Sequence, residues 1–123
     1  MNKYAATAML MTAAAGERII VVERDHRAVR DAVQEFREPN EAYGFGAKIR
    51  VANGDESVRL PSGGRINFAT PRSSRMRGLS ADVVFIDNDA HRVFDSNDWS
   101  KVDRFRDDIA GVLTATGGKV VYS

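Results

Sequence analysis

ADVVFIDNDAHR, residues Ala81 to Arg92, is the stretch on which the fold turns. Val83 to Ile86 form an unbroken apolar run, Asp87 ends it, and the polar pair Asn88-Asp89 follows. A short apolar run between polar signals predicts a strand buried on both faces. In open α/β sheets the chemistry gathers just past the carboxyl ends of such strands. Asp87 is therefore expected at the rim of a site, as the first polar residue after a buried strand.

Outward from that strand, the flanking segments predict an α/β pattern. Arg18 to Glu23 (RIIVVE) is a second apolar strand, and Lys119 to Tyr122 (KVVY) a last one. Tyr4 to Ala15 is rich in Ala, Leu and Met, with Gly16 as a natural stop, and predicts a helix packed on the sheet. It is too short to span a bilayer, and Thr7 and Thr12 interrupt it, so it reads neither as a membrane segment nor as a secretory signal. Asp25 is placed to cap a helix over HRAVRDAVQEFRE, whose Ala28, Val29, Ala32, Val33 and Phe36 recur at helical spacing. Pro39-Asn40 is expected to end it. A helix from Lys101 towards Leu113, capped by Ser100 or Asp98, precedes the last strand.

The middle of the chain reads differently. Tyr43 to Gly46 predicts a loop. Lys48–Ala52 and Ser57–Leu60 alternate as strands do, with a turn at Asn53-Gly54 between them. Pro61 to Gly64 makes another turn, and Arg65 to Ala69 a further strand. This is a small β-meander set into an α/β chain. The segment Thr70 to Ser80 is polar and carries Arg72, Arg75 and Arg77 beside Gly78. Loops of this kind carry function more often than packed elements do.

Composition narrows the classes. The chain has 123 residues, 43% hydrophobic and 28% charged, with net charge +1. That fits one domain over residues 1–123, and the near-neutral charge does not by itself select nucleic acid or a membrane. Without cysteine there is neither disulfide nor thiolate metal site, which suits a reducing cytoplasm. His26 and His91 stand far apart and make no metal site with spaced carboxylates. Asp87, Asp89 and Asp95 are hard-cation candidates, though acidic turn residues are usually only solvated. Trp99 reads as packing, and Ser73 and Ser74 lack a His–Asp partner signal.

Gly64 to His91, GRINFATPRSSRMRGLSADVVFIDNDAH, resembles the middle of phage terminase large subunits and helicase-type ATPases. In that family a Gly-flanked strand, an Arg-Gly pair, a short spacer and the Walker B strand follow one another. Here they correspond to Arg65–Ala69, Arg77-Gly78, Leu79–Asp82 and Val83–Asp87. The resemblance implies a three-layer, mostly parallel P-loop-NTPase-like sheet. It would be truncated, with the small antiparallel meander, and located in the cytoplasm (the host's, for a phage protein). It also implies that Asp87 holds Mg²⁺, that Asn88 stands at the catalytic carboxylate position, and that Lys3 falls at the P-loop Lys position.

The departures shape the functional expectation. A P-loop needs glycine-rich backbone to cradle phosphate, then Lys and Ser/Thr. Met1-Asn2-Lys3 leads straight into the helix, Tyr4 stands where the Mg²⁺ hydroxyl belongs, and Asn88 cannot act as a general base. The expected function is a degenerate, non-catalytic ATPase-like module that binds or regulates a protein partner or DNA. No cofactor is expected, and the chain would be a monomer or homodimer. The alternative is a working NTPase completed by another chain, with Mg²⁺ and ATP as its ligands. Arg72, Arg75 and Arg77 are the candidate nucleic-acid surface in either case. The resemblance also implies a further strand, absent here, between Val83–Ile86 and Lys119–Tyr122. A gap would bury unpaired backbone groups at roughly 1–3 kcal/mol each. The sheet is therefore expected to close up, pairing Val83–Ile86 directly with Val120–Tyr122 in parallel and with Ile19–Val22 beside them; a strand borrowed from a second molecule in a homodimer is the alternative.

Overall fold

In the computed structural model, residues 1–52, 54–71, 79–87, 90, 107–111, 113 and 117–122 are described. Helix α1 spans Lys3–Ala14, strand β1 Arg18–Val22, α2 His26–Glu35 and α3 Arg37–Tyr43. The strands β2 (Lys48–Arg50), β3 (Ser57–Arg59), β4 (Arg65–Ala69), β5 (Val83–Ile86) and β6 (Lys119–Tyr122) follow. Residues 107–111 and 113 are helical. The start of that helix lies outside the described residues. No helix among them is long and apolar enough to cross a membrane.

The six strands form one mixed sheet in the order β2-β3-β4-β1-β5-β6. β2, β3 and β4 pair antiparallel, as the meander reading expects. β4, β1, β5 and β6 run parallel. The sheet is closed where a gap would have been costly: Val84 pairs with Val120, and Phe85 with Val121. β1 is central because Ile19 to Val22 are apolar on both faces and are buried on both.

Alternation along the strands divides the core in two. Ile19 and Val21 of β1, Ile66 and Phe68 of β4 and Val58 of β3 pack on one face. There they meet Leu10 and Ala13 of α1, Val29 and Val33 of α2, and Phe36. Ile20, Val22, Val84 and Ile86 lie on the other face, with Ile109 and Leu113 packed against them.

Two boundaries differ from expectation. Pro39 does not end a helix. α2 stops at Glu35, Phe36 joins it to α3, and Pro39 sits buried in the first turn of α3. Proline is tolerated there because the first N–H groups of a helix have no partner within it. α3 then runs through Asn40 to Tyr43 and ends at Gly44, whose φ is +66°. The Asn40 side chain donates to the Ala47 carbonyl at 3.0 Å and accepts from its N–H at 2.9 Å, tying the following loop down. The meander strands are also shorter than expected. β2 stops at Arg50, where the Ala52 carbonyl accepts from Asp55 N–H at 2.9 Å to form the turn.

Candidate functional site

Three adjacent parallel strands, β4, β1 and β5, end in register, since Val22 pairs with both Ala69 and Ile86. The next residue on each is polar and buried: Thr70 at 5% exposure, Glu23 at 3% and Asp87 at 8%. The pairing continues through them, because Glu23 N–H donates to the Ala69 carbonyl and Asp87 N–H to the Val22 carbonyl, each at 3.0 Å. Strand alternation directs all three towards the face covered by α1 and α2. The result is a polar row at the carboxyl rim, facing the amino ends of two helices.

A cation of the chain itself stands in front of this row. The Met1 ammonium donates to Asp87 Oδ2 at 2.9 Å. Burial works against that charge. The hydrogen bond and charge of Asp87, with Glu23 and Glu35 behind it, outweigh burial and raise the ammonium pKa above its ordinary value. The amino end of α1 is also occupied from within. Asn2 Oδ1 accepts from Tyr4 N–H at 3.1 Å and Ala5 N–H at 2.9 Å, and the Asn2 carbonyl takes Ala6 N–H at 3.0 Å. The Tyr4 and Ala5 N–H groups are among the donors a phosphate would use at a helix start.

Asp25 closes α2 in the same manner, accepting from Ala28 N–H at 2.8 Å. That bond, helped by the Arg24 charge, holds its carboxyl below the usual range. Exposed His26 begins α2 and borders a cavity of about 50 Å³ shared with Glu56, Phe68 and Thr70. A larger cavity, about 480 Å³, lies away from this rim. It runs beside α1 over Val83, Phe85 and Val121 and reaches Asp82 at the opposite end of β5. Asp82 is already engaged there, accepting from Arg18 N–H at 2.8 Å.

The residues expected from sequence are distributed unevenly around this rim. Asp87 is at its centre. Lys3 lies on the side of α1 that faces α3, among Tyr4, Thr7, Glu38, Pro39 and Tyr43, with its ammonium 5.7 Å from the Tyr4 ring centre. Asn88, Asp89 and the arginines Arg72, Arg75 and Arg77 lie outside the described residues. Glu23 and Thr70 stand in the sequence as the ends of segments and are not expected there as site residues. RIIVV followed by Glu23 nevertheless repeats the pattern of VVFI followed by Asp87, and that repetition was the available signal.

Chemically, two buried carboxylates on neighbouring strands suit a cation. Around them, the Asn2 side chain takes the Tyr4 and Ala5 N–H groups, and Tyr4 is 75% exposed. Among the described residues, no group of three His, Cys, Asp or Glu is placed to hold a metal ion. No family model, curated protein or solved structure matches the chain.

Proposed function

We propose that the chain is a degenerate ATPase-like α/β domain, related in plan to terminase and helicase ATPases, that acts as a binding or regulatory module. The parallel set β1-β5-β6 with Asp87 at its carboxyl rim supports the likeness. The capped start of α1 supports loss of nucleotide chemistry: Asn2 takes the Tyr4 and Ala5 N–H groups that a phosphate cradle would keep available. That cap is the observation on which the reading rests.

Calorimetric titration with Mg-ATP is expected to give no binding at micromolar strength, and an ATPase assay the same background as Asp87→Ala. Micromolar binding, or turnover abolished by Asp87→Ala, would overturn this reading. It would favour a working ATPase completed by another chain.

DNA is the partner class that Arg72, Arg75 and Arg77 favour, because guanidinium forks onto phosphate. Replacing Arg72, Arg75 and Arg77 together with Ala is expected to weaken DNA binding at least tenfold in low salt. The wild-type affinity should fall steeply as salt rises, through counterion release. Unchanged affinity in the triple variant removes these arginines as the DNA surface.

A further inference from the structure

From Tyr4 to Gly16 the chain carries no charged residue. A helix that is apolar all round is normally covered all round. α1 buries Ala6, Met9, Leu10 and Ala13 against the sheet and exposes the opposite side. On that side Tyr4 is 75% and Met11 62% exposed, and Ala8 and Ala15 are exposed with them. Steps of four, three and four residues put these side chains in one line, the spacing of a helix–helix seam.

The line alternates large and small: Tyr4, Ala8, Met11, Ala15. Reversed, it reads small, large, small, large, so it is complementary to itself. We propose that α1 packs antiparallel against α1 of a second copy, Tyr4 opposite Ala15 and Ala8 opposite Met11 of the other chain. Charge selects the same direction. Lys3 is exposed at one end of α1 and Glu17 just beyond the other. Antiparallel packing brings Lys3 of each copy to the end that carries Glu17 of the other; parallel packing would set Lys3 against Lys3. The two helix dipoles then lie side by side in opposite directions, the favourable arrangement.

Such a contact is isologous, as in most closed dimers. It is also small. Twelve residues of helix are about 18 Å long, and the interface falls short of the ~1,200 Å² of a tight complex. Exposed Tyr43, across a shallow pocket from Tyr4, widens the apolar patch. The dimer is therefore weak and forms as concentration rises through the micromolar range.

Sedimentation velocity over roughly 1–500 µM tests this, with a shift from monomer to dimer expected. Ala8→Glu sets two carboxylates in the seam and should weaken dimerisation at least tenfold while the circular dichroism spectrum stays unchanged. The register is tested by cross-linking, since the chain has no cysteine. Tyr4→Cys mixed with Ala15→Cys should form a disulfide under mild oxidation. Neither variant should do so alone, because like positions in antiparallel copies lie ~16 Å apart along the axis, beyond disulfide reach. A monomer at every concentration, a dimer unaffected by Ala8→Glu, or self-cross-linking of Tyr4→Cys faster than the mixture overturns the proposal.

Discussion

Gly64→Ala is expected to destabilise the protein by about 3 kcal/mol or more, a large share of the roughly 5–15 kcal/mol that holds an ordinary domain folded. A Cβ at this position would fall on the Ala13 carbonyl, 2.7 Å from its carbon and 3.0 Å from the Ala13 Cα. The obstruction is backbone on both sides, so no side-chain rotation relieves it. α1 and the start of β4 would have to move apart. That movement would break the Ser62 hydroxyl bond to the Ala13 carbonyl at 2.9 Å. Gly63→Ala is the control. Its Cβ meets open space, and only its φ of +92° penalises a side chain, at about 1 kcal/mol. Urea denaturation of the two variants separates these costs. A Gly64→Ala loss no larger than that of Gly63→Ala would mean that α1 does not approach β4 in this way.

Phe68→Ala should cost about 3–5 kcal/mol. Phe68 is fully enclosed, and its ring meets Phe36 edge to face, with centroids 5.7 Å apart and planes at 82°. Phe36 is the residue between α2 and α3, so this pair fastens both helices to the sheet. Edge-to-face pairs add about 0.5–1.5 kcal/mol beyond the area they bury. Phe68→Leu keeps most of the volume and should cost about half as much. The urea midpoint and melting temperature of the two variants give the comparison. Equal losses for Ala and Leu would indicate that the pair geometry, rather than the filled volume, dominates.

The strands were legible because their signals are local. Arg65–Ala69, Val83–Ile86 and Lys119–Tyr122 have the limits that their apolar runs and flanking turns predict. The direct pairing of Val83–Ile86 with Lys119–Tyr122 was also within reach, through the cost of leaving backbone groups unpaired. Pro39 misled because proline has two meanings, helix stop and first-turn residue. Only the fit of the Phe36 ring into the core shows which applies. The rim was half legible. Asp87 stood out in its own strand, but the row it shares with Glu23 and Thr70 exists only through the register of three strands distant in sequence. The contact of Met1 with Asp87 likewise depends on where α1 docks, which periodicity alone does not specify.

The central position of β1 also has a consequence in time. Both its neighbours come later in the chain: Val22 pairs with Ala69 and with Ile86. At a synthesis rate of about 5–20 residues per second, roughly 2–9 s pass between the appearance of Val22 and that of Ala69. Throughout that interval Ile19-Ile20-Val21-Val22 is an uncharged β-forming run with both edges unpaired, the kind of segment that seeds intermolecular sheets. Slow translation therefore lengthens the window for aggregation, and a chaperone that holds this short run shields the nascent chain until β4 emerges.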